Sequence, residues 1–174
     1  MRMVGIVQKK ICLLGDFSVG KTSLIRRFIH SIFSEDYITT LGVHISKKEV
    51  ELEADSRMRL LIWDVAGENG FDKVADSYLR GAAGLIIVAD VSRAETLRSP
   101  SRYFEKFKNI NPEGVVLLAV NKWDLLDELP IETIPEDAGA LGLAPETPFF
   151  KTSAKTGENV EDMFLTMARS LAQS

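Results

Sequence analysis

Cysteine is nearly absent: Cys12 is the single one among 174 residues, so no disulfide can form within the chain and a disulfide-stapled secreted scaffold is excluded. A reducing, cytoplasmic setting is expected. There is no basic excess either, since 21 Lys and Arg face 25 Asp and Glu for a formal charge of -4. Phosphate neutralisation of the kind that holds nucleic acid is therefore not expected. No run approaches the ~18 apolar residues of a membrane span. Lys9 and Lys10 interrupt the first apolar residues, so no signal peptide is expected. Leu171–Ser174 has no cysteine and no glycine follows Met1, so no intrinsic lipid anchor is expected. Repeats, linkers and low-complexity segments are missing too, leaving one compact unit, 1–174, as the reading.

What is present alternates between strand and helix. Lys10–Leu14, Val43–Leu52, Met58–Asp64, Gly84–Asp90, Val115–Val120 and Phe149–Lys151 read as six strands, several apolar on both faces as in a parallel sheet covered by helices. Ala54-Asp55-Ser56 is too short for a crossover, so the strands it joins must be antiparallel. The expected fold is α/β: a phosphate-loop nucleotide-binding domain with a six-stranded, mostly parallel sheet, one antiparallel edge strand and helices on both faces. Ser92 with Glu95 has the spacing of a capping box. Pro100 after Ser99 suits a first helical position and should split the helical region there. A closing helix over Gly157–Ala172 would bury Val160, Phe164, Met167 and Leu171.

Chemistry enters after the first strand with Gly15-Asp16-Phe17-Ser18-Val19-Gly20-Lys21-Thr22, a G-x-x-x-x-G-K-[ST] pattern between a strand and a helix. Its glycines let the backbone form a nest of N–H groups that point at phosphate oxygens, and the helix adds its positive end. Gly15, Ser18, Val19, Gly20, Lys21, Thr22 and Ser23 are the phosphate-binding candidates. Lys21 supplies charge to the β- and γ-phosphates and Thr22 a hydroxyl to Mg²⁺. On average residue usage the pattern arises by chance in about one such chain in 200, and its strand–helix setting lowers that further.

A phosphate loop leaves kinases, ATPases and GTPases open. Asn121-Lys122-Trp123-Asp124, at the carboxyl end of the Val115–Val120 strand, decides for guanine. An ionised Asp124 offers only acceptors, matching guanine's N1–H and N2 amino donors and opposing adenine, whose N1 is an acceptor. Ser153-Ala154-Lys155 follows the last strand, and Ala154 can present its N–H to guanine O6. Asp64-Val65-Ala66-Gly67 ends another strand. There Asp64 can hold Mg²⁺ through water and Gly67 can donate to the γ-phosphate, while Thr40 is the natural second hydroxyl ligand of the ion. Catalytic candidates on these motifs are Lys21, Thr40 and Gly67; metal candidates are Thr22, Thr40 and Asp64.

With these motifs in this order, the chain resembles the Ras superfamily of small GTPases and most closely its Rab branch. Leu41-Gly42-Val43-His44-Ile45, Arg59-Leu60-Leu61-Ile62-Trp63 and Tyr78-Leu79-Arg80-Gly81-Ala82 carry that likeness. The resemblance implies that Phe33 packs on the guanine ring and Tyr37 covers the phosphates. It also implies that loops 32–42 and 66–80 are switches released when the γ-phosphate leaves, and that Ile45, Trp63 and Tyr78 form an effector patch. It further implies a slow GTPase and a monomer that meets protein effectors, with an exchange factor or activating protein. Three positions depart from the pattern: Phe17 where the family has a small residue, Glu68 where it has the glutamine that orients the attacking water, which makes Glu68 a catalytic candidate by resemblance, and His44-Ile45 where the branch carries an acidic residue and phenylalanine. His30 and His44 read as surface residues. Two other functions stay open: a guanine-nucleotide-binding module with negligible hydrolysis, and a nucleoside phosphate kinase, against which stand Asn121–Asp124 and the lack of an acceptor lid.

Overall fold

The computed structural model describes residues 6–30, 35–38 (backbone only), 43–52, 56–65, 76–129 and 135–174. In chain order these form β1 (Val7–Leu14), α1 (Lys21–Ile29), β2 (Glu35–Ile38), β3 (His44–Glu51), β4 (Arg57–Asp64), α2 (Asp76–Leu79), β5 (Gly84–Asp90), α3 (Pro100–Ile110), β6 (Val115–Asn121), β7 (Phe149–Lys151) and α4 (Val160–Gln173). The strands build a seven-stranded sheet in the order β2-β3-β4-β1-β5-β6-β7. β4, β1, β5, β6 and β7 are mutually parallel and β3 is antiparallel to β4. All six strands read from the sequence are present with that orientation. Four residues add a seventh: β2 pairs antiparallel with β3 at the sheet edge, inside the segment assigned to the first switch loop. Its Glu-Asp-Tyr-Ile stretch has too few β-formers to announce a strand, and pairing with β3 decides its conformation.

The period-2 alternation of the central strands divides two cores. Ile11 and Leu13 of β1, Ile86 and Val88 of β5, and Leu117 and Ala119 of β6 point to one face, against Leu24, Ile25 and Phe28 of α1 and Met163, Phe164 and Met167 of α4. Cys12, Leu14, Leu85, Ile87, Leu118 and Val120 point to the other, against Tyr103 and Phe107 of α3 and Leu79 of α2. Phe28 and Phe164 stack with ring centroids 4.1 Å apart, locking α1 to α4. Val160, Phe164, Met167 and Leu171 are all buried, as the closing-helix pattern requires.

Pro100 does open a helix and separates it from a short 3-10 turn at Thr96–Arg98. The capping box does not form. Ser92's hydroxyl donates to Asp90 Oδ1 at 2.6 Å and its N–H to the same oxygen at 2.9 Å, so the serine closes an Asx turn behind it instead of capping forward. No helix among the described residues is long and apolar enough to cross a membrane.

Candidate nucleotide site

β1, β4, β6 and β7 all end at the same sheet edge, and the loops leaving them converge there, as expected for a ligand site at the carboxyl ends of parallel strands. The loop after β1 is compact because its carbonyls are tied down. Lys21 Nζ donates to Gly15 O at 2.9 Å and Asp16 O at 3.0 Å, Arg93 Nη2 to Phe17 O at 2.6 Å, and Asn121 Nδ2 to Val19 O at 2.9 Å. The amides of residues 16–20, by contrast, have no acceptor among the described residues, and α1 starts without a side-chain cap. A loop of satisfied carbonyls and unsatisfied N–H groups at a helix N-terminus is chemically an anion receptor, so the residues present fit a phosphate chain.

Two glycines make this path possible. A Cβ on Gly15 would run into the Val88 carbonyl, and Gly20 is left-handed at φ 101° with its missing Cβ against the Asn121 amide. Ser18, at φ 63°, takes the left-handed region without being glycine, at a cost of about 1–2 kcal/mol. Lys21 is 6% exposed. Burial lowers its pKa below the ordinary lysine value; Asp64 and Asp16 oppose that, while Arg93 adds to it.

The Thr22 hydroxyl donates to Asp64 Oδ2, which brings the first helical turn and the end of β4 together. Hydroxyl and carboxylate oxygens are hard donors suited to Mg²⁺, which keeps water and phosphate oxygens as its remaining ligands. Two protein oxygens therefore fit that ion, and among the described residues no cluster of three or more His, Cys, Asp or Glu offers a denser site.

On the base side, Gly20, Ser23, Asn121, Lys122, Asp124, Leu125, Ala154 and Lys155 line one cavity of about 470 Å³. The two motifs, a hundred residues apart in sequence, thus share a single pocket. Ser153 Oγ donates to Asp124 Oδ1 at 2.6 Å, while Oδ2 has only the Lys155 ammonium at 4.0 Å among the described residues. Asn121 is 1% exposed and its Oδ1 accepts from Ala154 N–H at 3.2 Å. The donor expected to meet guanine O6 is thus held by Asn121, and a base carbonyl there would share it. Lys122 is left-handed, at φ 63°, and its Nζ lies 2.6 Å from Asp90 Oδ2.

Asp90 is the residue that motif reading misses. Fully buried at the end of β5, it sits beside Asn121 in register and also receives Arg93 Nε at 3.1 Å. Burial pushes its carboxyl up, but hydrogen bonds from Lys122, Ser92 and Arg93 outweigh that and hold it below the ordinary carboxylate value. A carboxylate at the carboxyl end of a central parallel strand was the available signal. Asp16 was likewise unassigned; its carboxylate accepts from Ser99 Oγ at 2.7 Å and Tyr103 OH at 2.8 Å.

Phe33, Thr40, Gly67 and Glu68 lie outside the described residues, as does the side chain of Tyr37, whose backbone pairs with Ile45. In the effector patch, Ile45 pairs with Trp63 across β3 and β4, and Trp63 and Tyr78 pack against the α3-side core. Lys10 Nζ sits 3.7 Å from the Trp63 ring centroid, so part of this patch is internally covered. His30 is exposed and His44 half-buried.

An amide nest beside a threonine–aspartate pair, with Asn121 and Asp124 lining the adjoining pocket, is the arrangement of a phosphate-loop GTPase domain. Comparison with known proteins agrees. Residues 10–173 match the Ras family. The chain is 38% identical over 167 residues to the GTP-binding protein ypt1 of Schizosaccharomyces pombe, covering 94% of this chain and 80% of that protein. It is 39% identical over 166 residues to the GTP-binding protein YPT1 of Saccharomyces cerevisiae, covering 95% and 79%. The chain belongs to the Ras family, as a Rab-like small GTPase: a molecular switch that binds GTP or GDP with Mg²⁺ and hydrolyses GTP to GDP.

Proposed function

We propose that residues 1–174 act as one switch domain with slow intrinsic hydrolysis, and that the pocket joining Gly20 and Ser23 to Asn121 and Asp124 seats the nucleotide. The observation that carries this reading is the polarity of the loop: four carbonyls held by side-chain donors, five amides left for phosphate oxygens. In this seating Lys21 lies on the β- and γ-phosphates, Thr22, Thr40 and Asp64 serve the ion, Asp124 reads the base edge, and Lys122 and Phe33 flank the ring. Mg²⁺ supplies neutralisation of charge on the phosphate oxygens. Glu68 stands where a water-orienting residue belongs, and Gly67 donates to the γ-phosphate.

Loops 32–42 and 66–80 are the switches, read by protein effectors over Ile45, Trp63 and Tyr78, with an exchange factor or activating protein setting the cycle. A cytoplasmic monomer without nucleic-acid partners is the form proposed. The test is to denature the purified chain and resolve the released nucleotide by chromatography, then follow phosphate release from bound GTP over hours. Guanine nucleotide with slow release supports the switch. Guanine nucleotide with no release favours a static binding module, and adenine nucleotide overturns the base assignment.

A further inference from the structure

We infer that Arg93, Ser99 and Tyr103 form a clamp on the outer side of the phosphate loop, and that Arg93 is the positioning residue in it that governs how fast nucleotide is released. The inference rests on the nucleotide seating proposed above.

Residues 16 and 17 immediately precede the left-handed Ser18, and side-chain packing does little to hold them there. Phe17 is 58% exposed, among the most exposed large apolar side chains described. Lys21 holds the Asp16 carbonyl from inside; the remaining hold on these two residues, on the Phe17 carbonyl and the Asp16 carboxylate, is polar and comes from one segment, residues 93–103. Arg93 Nη2 meets Phe17 O at 2.6 Å; Ser99 Oγ and Tyr103 OH take one oxygen each of the Asp16 carboxylate, at 2.7 and 2.8 Å.

Two of the three grips have a firm root. Tyr103 is 1% exposed in the α3-side core. Arg93 Nε donates at 3.1 Å to Asp90, which is fully buried and also holds Lys122 Nζ at 2.6 Å. One carboxylate therefore anchors both the arginine on the phosphate loop and the lysine of the base motif. The guanidinium spans the gap because it donates along two edges of a rigid fork, which a lysine ammonium on a flexible stem does not reproduce. The inner side of the loop is secured separately, by Lys21 and Asn121.

Without the outer clamp the loop spends part of its time with its amides off the phosphates, and apparent affinity falls by the fraction of time it remains closed. The effect belongs to nucleotides whose β-phosphate engages the loop. GDP should feel it and GMP should not.

The experiment uses the whole chain loaded with a fluorescent GDP analogue and chased with excess GDP, alongside competition by GDP and GMP. Arg93→Ala and Arg93→Lys should each speed release about tenfold and lower the GDP-to-GMP affinity ratio by about the same factor. Tyr103→Phe, which removes one hydroxyl and keeps the core ring, should speed release about threefold. Arg98→Ala, on the same segment outside the clamp, should leave release unchanged. Equal loss of GDP and GMP would make Arg93 a general structural support and overturn the inference. So would unchanged release with hydrolysis of bound GTP reduced, which would place the guanidinium on the phosphates themselves. Wild-type retention of GDP with unchanged release in both Arg93 variants overturns the clamp alone; a wild-type chain that retains no GDP overturns the nucleotide seating as well.

Discussion

Asp124 shows how one side chain divides its work. Oδ1 is held by the Ser153 hydroxyl at 2.6 Å and so fixes the carboxylate plane, while Oδ2 keeps only a 4.0 Å ion pair with an exposed lysine. Asp124→Asn preserves the Ser153 bond and turns the other end into a donor. Affinity for GDP should fall by at least about a hundredfold while xanthine nucleotide, whose edge presents an acceptor there, gains; competitive displacement of a labelled nucleotide measures both. Phe17 invites a different experiment. Its exposed ring occupies the rim of the phosphate loop, where an activating protein's arginine would have to enter. Hydrolysis should stay in the unassisted range, about 10⁻⁴ to 10⁻² s⁻¹, with no arginine-finger acceleration; Phe17→Gly with Glu68→Gln should restore sensitivity. A thousandfold acceleration of the unaltered chain, with the activator's arginine against Phe17, would refute the block. Lys21, Thr22, Asn121 and Asp124 were legible as candidates because their spacing along the chain suggests their chemistry, and the fold brings their loops together. Arg93 was not, since it meets Phe17 across 76 residues and only the fold brings the two together.

At the scale of elements, the central strands could be read because apolar residues on both faces leave no alternative partner but helices, and that pattern is local. The turn after β5 could not. Ser92 and Glu95 had cap spacing, yet the buried Asp90 two residues earlier competed for the serine hydroxyl and won. That turn has a pH signature. Asp90's carboxyl binds its proton less readily folded than unfolded, so its stabilisation is fully present above the unfolded value of about 3.9 and is lost as pH falls through the lower folded value. Asp90→Asn should flatten this acid limb in urea titrations taken between pH 5 and the acid transition. It should also loosen the turn at neutral pH, because Arg93 and Lys122 lose their shared counter-charge. A distinct element-level test concerns the α1–α4 stack: Phe164→Ala removes a fully buried ring facing Phe28 and should cost about 3–5 kcal/mol of unfolding free energy.

For the whole molecule, nucleotide binding and fold stability are coupled through the phosphate loop. Lys21 is buried with its pKa lowered by that burial, and the amides of residues 16–20 have no acceptor among the described residues. A buried cation and a row of amides at a helix N-terminus are both matched by an anion. A diphosphate answers them together, giving the ammonium counter-charge and the amides acceptors. Binding therefore stabilises the fold through RT ln(1 + [L]/Kd), about 4 kcal/mol at a thousandfold excess over Kd. Stripping nucleotide with a chelator and phosphatase should lower the melting temperature, and GDP with Mg²⁺ should restore it. ADP at the same concentration should not, because Asp124 presents an acceptor to adenine's N1 acceptor. Lys21→Ala should lose most of the GDP-dependent rise, since the amides alone leave the β-phosphate charge uncompensated. Equal recovery with ADP and GDP, followed by differential scanning fluorimetry across a nucleotide titration, would separate the phosphate site from the base site and remove Asp124 from recognition; no rise with either nucleotide would remove the phosphate loop as well.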